Sequence, residues 1–489
     1  MIHQEDHEDP NQKLLCFNCV GDTYLRQEIQ QNGRPARCSF CERVEPTYTM
    51  GDLAERVDQA FEQHYERTPD QPNSWQERLL ADSESNYDWE REGEPVVWAI
   101  ANAASIEEEV AQDIQSILEE KHGDFDSDAI GLETEFSSDS YYEERPANDE
   151  RWQAAWADFE HSLKTETRFF SRSASDHLSS LFSAIETMST IDNRPIVIDA
   201  GPGTPLNNLY RARVFQSDKA LVAALGRPDL HLGPPPSRLA GPGRMNAGGI
   251  SVFYGANHPQ AAISEVRPPI DSLVVVAEFS IVRSIRLLDL TALIGARDHG
   301  SVFDPEFAAR TERTAFLRSL SERISQPIMP DDEAFEYLPT QAVADFLATG
   351  RSPRFDGIIF PSSQAGGDGL NVALFHKASR VERIQIPEGA KIEVETGRMY
   401  DDSWERDYTV TERIPSKPNS SGSEGGTGYR RYPQLSSHES EYSPTDVHRE
   451  STLRLNVDSI RVHIVKRVNY DTSAHPVTRY QREDENFPF

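Results

Sequence analysis

From residue 50 to about residue 190 the apolar positions recur at helical spacing. Leu53, Val57, Ala60, Phe61 and Tyr65 share one face of a helix expected over 50–67. A second helix is expected over 95–121, with Ser105 and Glu108 spaced as an internal capping pair and its acidic residues facing water. The acidic, Ser-rich stretch 123–149 reads as a loop, and helical spacing resumes over 151–170 and 174–188. Near Asp192 the period changes. Short β-rich runs at 209–214, 250–256, 273–281, 285–290 and 357–360 alternate with Pro/Gly loops and with helical patterns at 259–266, 305–324 and 340–349. Residues 401–450, centred on SSGSEGG, are rich in Ser, Gly, Asp and Glu and are expected to be disordered. Strand alternation returns over 453–468, so that stretch is expected to be an insertion before a strand that rejoins the sheet.

A chain of 489 residues exceeds what one hydrophobic core normally supports, which predicts at least two domains. The formal charge of -32 opposes non-specific binding to nucleic acid or to an anionic membrane. Only eight of the 49 basic residues are Lys. Acidity spread along the whole chain reads as surface adaptation to a high-salt, halophilic cytosol, where carboxylates stay hydrated and their repulsion is screened. No apolar run has the length of a membrane span, and MIHQEDHEDP lacks the basic and apolar regions of a signal peptide. A cytoplasmic protein with no membrane partner is expected.

All four cysteines fall in the first 41 residues, as Cys16-Phe-Asn-Cys19 and Cys38-Ser-Phe-Cys41. Two C-x2-C pairs at a zinc-ribbon interval read as one tetrahedral thiolate site for a structural zinc ion, since four thiolates leave no open coordination position. Two short disulfides are the alternative, and a reducing compartment disfavours them. The expected fold class is α+β. Its parts are a four-cysteine zinc knuckle at 1–50, a helical bundle at 51–191, a sheet domain at 192–400, the insertion at 401–450, a returning strand within 451–470 and a tail at 471–489.

The stretch GRMNAGGISVFYGANHPQAAISEV, 243–266, concentrates the candidate chemistry. Arg244 stands in a glycine-flanked turn where a guanidinium can grip a phosphate in two places. Tyr254 closes an apolar run, where its ring can stack on a flat group while its hydroxyl meets water. Glu265 sits on a short apolar helix opened by Pro259. Taken singly, each also has an ordinary reading: a surface turn, core packing, a solvated carboxylate.

Their order and spacing say more. Arg244-x9-Tyr254-x10-Glu265, preceded by Leu209-Tyr-Arg211 and followed by Phe360-Pro-Ser362-Ser-Gln and Leu370-Asn371-Val-Ala-Leu, resembles the RES domain. The resemblance implies a split, curved β-sheet similar to ADP-ribosyltransferases, with NAD as substrate in its cleft. It also implies a toxin or defence effector that breaks the nicotinamide–ribose bond, with an antitoxin or regulatory protein as partner. On the same resemblance Arg244, Tyr254, Glu265 and Ser362 are catalytic, with Ser363 the alternative serine. Arg211 and Asn371 join Arg244 and Tyr254 in binding NAD. The family's Trp-Asn after the motif arginine is Met245-Asn246 here, which thins the aromatic wall of the cleft. The zinc-bearing helical region resembles the HEPN superfamily, in which an Arg-x4-to-6-His pair can cleave RNA; Arg172 and His177 satisfy that spacing. Two alternative functions follow: RNA binding or cleavage through the N-terminal zinc and helical region, the one route by which nucleic acid is expected to bind, and ADP-ribose transfer to a protein. Gly201-Pro-Gly203 and Gly241-Pro-Gly243 lack the strand and helix of a nucleotide loop and read as turns.

Overall fold

The computed structural model describes residues 10–82, 84–123, 132–350, 354–362, 364, 369–400, 403–414, 449–469 and 472–479. The fold is mixed α/β and divides into two compact units, one of residues 1–196 and 291–324, the other of 197–290 and 325–489. Residues 291–324, expected within the sheet domain, cluster instead with the N-terminal unit. The expected insertion at 401–450 carries short strands at Ser403–Glu405 and Thr409–Arg413. Its centre, 415–448, lies outside the described residues, as does the end of the tail, 480–489.

In the first unit the knuckle and the helices share one core. Leu15, Cys16, Leu25, Ile29 and Cys38 pack with buried residues of Met50–His64, Val96–Ala104 and Glu108–His122. The helix expected over 95–121 is two helices. Ser105 adopts the left-handed conformation, φ 50°, and ends the first one; the spacing of Ser105 and Glu108 therefore marks a break and not an internal cap. The loop expected over 123–149 contains a strand, Tyr141–Glu144, and a helix at Thr23–Asn32 has no counterpart in the expected elements.

The second unit is built on an eight-stranded sheet. In chain order its strands are β1 (Val197–Ala200), β2 (Asn208–Phe215), β3 (Phe253–Ala256), β4 (Leu273–Ile281), β5 (Ile285–Asp289), β6 (Gly357–Pro361), β7 (Leu370–Leu374) and β8 (Leu453–Ile464). Across the sheet they run β8-β4-β2-β3-β7-β6-β5-β1. Only β5 and β6 pair in parallel. The late strand thus pairs with β4, four residues shorter than its sequence alternation suggested.

β4, Leu-Val-Val-Val-Ala-Glu-Phe-Ser-Ile, shows why the sheet is covered on both faces. Leu273, Val275, Ala277, Phe279 and Ile281 enter one core with Leu209, Phe253 and Val372, and Val274 and Val276 enter the other with Ala212, Ala256, Ala261 and Ala262. The last two alanines belong to helix α1 (Pro259–Glu265), where Pro259 opens the first turn and His258 Nδ1 accepts from the Gln260 amide at 3.3 Å. Small side chains on this face let α1 lie close to the sheet. Its last residue, Glu265, is thereby held at the sheet surface.

The sheet is continuous but nearly parted in the middle. β2 pairs with β4 over eight residues and β3 with β7 over four, yet β2 and β3 share a single pair, Tyr210 with Ala256. Beyond that pair the two strands diverge.

Candidate active site and metal centre

A cleft of about 280 Å³ opens where the strands part. Its walls include Tyr210 and Arg211 of β2, Tyr254 of β3, Glu265 of α1, Asn371 of β7, and Arg244, Arg267, Tyr337 and Phe360. Five of the six residues singled out for NAD chemistry therefore line one cavity, and the sixth, Ser362, touches it through Glu265.

Glu265 Oε1 accepts from Ser362 Oγ at 2.5 Å and from Asn371 Nδ2 at 2.8 Å. Hydrogen bonds to an ionised carboxylate are short and strong, so these two donors fix the direction of the group. Asn371 is buried, and its strand is tied to the end of β3 by the Asn257 side chain, which accepts from the Leu370 amide at 2.9 Å. Oε2 has no donor among the described residues. One oxygen is anchored, and the other is left for a ligand. Ser363 lies outside the described residues, whereas Ser362 makes the contact.

Arg211 bridges the gap between the diverging strands. Its Nη1 donates to the Tyr254 carbonyl at 3.1 Å, and its guanidinium lies 4.9 Å from the centre of the Phe253 ring. No carboxylate pairs with it among the described residues. Burial, with Arg213 nearby, pushes its pKa down to about 9, so it is still cationic near neutrality. An unpaired cation in such a place is costly and calls for an anionic ligand.

The turn carrying Arg244 is closed by Gly243 N–H to the Asn246 carbonyl at 2.9 Å and the Asn246 N–H to the Gly243 carbonyl at 3.3 Å. Tyr254 supports it from below: its hydroxyl donates to Asn246 Oδ1 at 2.7 Å and accepts from the Met245 amide at 3.0 Å. The phenol expected to meet water is thus engaged inside the protein, because the turn folds back over it. Burial raises its pKa to about 12, and it remains a neutral phenol. A Cβ on Gly243 would come within 2.7 Å of Asn246 Oδ1 and 2.9 Å of the Tyr254 hydroxyl, which is why this position has no side chain. The strand expected over 250–256 begins only at Phe253, since Ile250 belongs to this loop and is exposed.

Two further cleft residues had no sequence signal. Tyr337 sets its ring 5.4 Å from the Arg244 guanidinium, and Arg267, at φ 42°, adds a third arginine to the walls. Met245 is buried away from the cavity. Tyr210, Tyr254, Tyr337 and Phe360 supply the aromatic lining instead.

Residues 209–400 match the RES domain. The RES family is associated with NAD-related toxin function and an NAD-related enzymatic role. The match takes in the arginine, tyrosine, glutamate, serine and asparagine of the cleft but ends before β8. No curated protein and no solved structure matches the chain.

In the first unit the four cysteine sulfurs lie within 4.8 Å of one another. Cys16 and Cys41 are 3.4 Å apart, Cys16 and Cys19 3.7 Å, and Cys19 and Cys38 3.9 Å. None forms a disulfide. The edges of a tetrahedron with metal–sulfur bonds of about 2.3 Å are about 3.8 Å long, so the cluster fits a four-coordinate metal ion.

Arg172 and His177 share the helix Arg172–Leu181 but not an environment. Arg172 is exposed, while His177 packs among Trp152, Trp156 and Phe159, with ring centres 5.5 to 6.1 Å away and Nε2 buried without a partner. Burial lowers its pKa below the ordinary 6.5. His177 thus sits against aromatic rings while Arg172 of the same helix faces solvent. Among the described residues no helix is long and apolar enough to cross a membrane.

Proposed function

We propose that the second unit breaks the nicotinamide–ribose bond of NAD in an ADP-ribosyltransferase-like cleft, as a growth-arresting toxin or defence effector. The observation that carries this reading is Glu265, anchored through Oε1 by Ser362 and Asn371 with no donor to Oε2 among the described residues, beside Arg211, which has no anionic partner among them.

The chemistry asks for little more. The nicotinamide ring of NAD is cationic and leaves neutral: the C1′–N1 bond breaks, its electron pair stays on the ring nitrogen, and an acceptor oxygen then bonds to C1′. No general acid is required, unlike ordinary glycosides with their paired carboxylates. Glu265 Oε2 accepts from a ribose hydroxyl and stabilises positive charge growing on the adjoining carbon. Arg211 and Arg244 hold the pyrophosphate, the latter by a guanidinium suited to bidentate contact. The ring of Tyr254 offers a face to the pyridinium, which such faces attract. Ser362 and Asn371 act through Glu265. A cavity of about 280 Å³ is small beside the roughly 300–1,000 Å³ typical of ligand pockets, and it suits the nicotinamide riboside end, with the adenosine outside.

In the first unit the four thiolates would hold a structural zinc ion, which when bound cross-links the two knuckles. No step of the reaction involves it.

Incubation of the pure protein with NAD, with nicotinamide followed by chromatography, tests the reading. Release that disappears in Glu265→Ala is expected; release at the wild-type rate in that variant refutes the assignment. Label from the ADP-ribose half that ends on protein would identify transfer to a macromolecule as the second half of the reaction.

A further inference from the structure

Arg244 stands in a loop with Gly241, Gly243, Gly248 and Gly249 around it, a poor platform for a guanidinium that must be aimed. Its backbone and side chain are both held by residues far along the chain. Gln341 Nε2 donates to the Gly243 carbonyl at 2.8 Å, and Thr340 Oγ1 donates to the Arg244 carbonyl at 2.6 Å. Gln326 accepts from Arg244 Nη2 through its carbonyl at 2.8 Å. The Tyr337 ring lies 5.4 Å from the guanidinium carbon. Thr340 and Gln341 open helix α2 (Leu338–Thr349), and both are buried, at 7% and 9% exposure. Buried polar side chains at the start of an apolar helix are expensive unless their hydrogen bonds matter. Here both reach the two consecutive carbonyls of the arginine turn, the Thr340 hydroxyl lying also 3.0 Å from the Tyr337 carbonyl.

We propose that residues 337–341 form a clamp that positions Arg244, with Gln341 and Thr340 fixing its backbone and Tyr337 its side chain. The inference rests on the reading of the cleft as an NAD site and adds to it: the aim of Arg244 comes from α2 and not from the glycine loop. An arginine oriented in advance loses less freedom when it grips a pyrophosphate, so the clamp acts on affinity. Uniform tightening of ground and transition states is read in KM and leaves kcat unchanged.

The test uses the full-length protein with Gln341→Leu, Thr340→Val, Tyr337→Leu and Tyr337→Phe, each in the wild-type and Arg244→Ala backgrounds. Three quantities are measured: ADP-ribose affinity by calorimetry, KM and kcat for nicotinamide release, and the rate at which phenylglyoxal modifies Arg244, followed by peptide mass spectrometry. Gln341→Leu is expected to weaken ADP-ribose and raise KM by about tenfold, in line with one lost positioning contact, with kcat kept, and Tyr337→Leu, whose ring also lines the cleft, is expected to weaken ADP-ribose to a similar extent. They are also expected to speed the modification of Arg244. Tyr337→Phe restores all three, and none of the substitutions weakens binding further once Arg244 is Ala. Unchanged modification and affinity, or losses that persist in the Arg244→Ala background, overturn the clamp. A wild-type protein that releases no nicotinamide defeats the NAD reading instead; the modification rates, which need no ligand, still decide the clamp. If a Leu variant fails to fold, Thr340→Val, which keeps side-chain shape, carries the same comparison.

Discussion

Arg211 makes opposite demands on stability and on binding. A half-buried cation with no anionic partner among the described residues destabilises the free protein, and on the proposed reading the same charge would attract the pyrophosphate. Arg211→Met is therefore expected to leave the melting temperature unchanged or raise it, while weakening ADP-ribose by about tenfold or more, the scale of a lost charge-assisted contact. Thermal melts and calorimetry on the same preparation check both signs; a variant that loses stability and keeps affinity contradicts this role. The phenol of Tyr254, raised to about 12, is neutral across the working range, so turnover should show no alkaline limb from its ionisation below about pH 10. At this scale much of the site was legible in the sequence. Arg244, Tyr254, Glu265, Ser362, Arg211 and Asn371 occur in an order that resembles one family, and the fold brings them together. Tyr337, Arg267 and Gln341 were not legible. Two of them lie far along the chain from the motif, and in the third, Arg267, nothing sets a surface arginine apart from one that lines a cleft.

At the scale of elements, the cleft exists because β2 and β3 stop pairing after one residue. Strand alternation shows where strands are but not where two neighbours part, and the gap had no sequence signal. Gly243 marks the closest approach in the turn beside it. Gly243→Ala is expected to displace Asn246, whose Nδ2 lies within hydrogen-bond reach of the Gly241, Ala247 and Ile250 carbonyls, or the hydroxyl of Tyr254. Loss of nicotinamide release should exceed any loss of overall folding, because the disturbed turn carries Arg244; activity and circular dichroism together check this. The break at Ser105 teaches the converse. Continuous helical spacing on both sides concealed a left-handed residue, since periodicity reports which face is apolar and not whether the axis continues.

At the scale of the molecule, the cleft lies within the second unit and the cysteine cluster within the first. Stripping metal with a chelator is expected to lower the thermal stability of the first unit, since structural metal binding is folding free energy. Nicotinamide release should persist; a parallel loss of chemistry contradicts a purely structural metal. The first unit should also be acid-sensitive. His64 and His177 are half-buried, and their loss of solvent lowers both pKa values below the ordinary 6.5. A depressed folded-state value means the unfolded chain binds the proton first, so stability is complete above about pH 6.5 and falls as pH drops below it. Melting curves at about pH 7.5 and about pH 5.5, on either side of the ordinary histidine value, should differ less in His177→Gln than in the wild type.

The central claim is that the charge of one anchored carboxylate, and not its shape, drives departure of nicotinamide. Glu265→Gln keeps the size of the side chain and removes the charge. Nicotinamide release by this variant, measured beside its ADP-ribose affinity, is the most direct test. Turnover is expected to fall by about 10²- to 10³-fold, the usual effect of deleting one electrostatic stabiliser of a transition state, with affinity within about threefold of wild type. Release at the wild-type rate from Glu265→Gln contradicts the account.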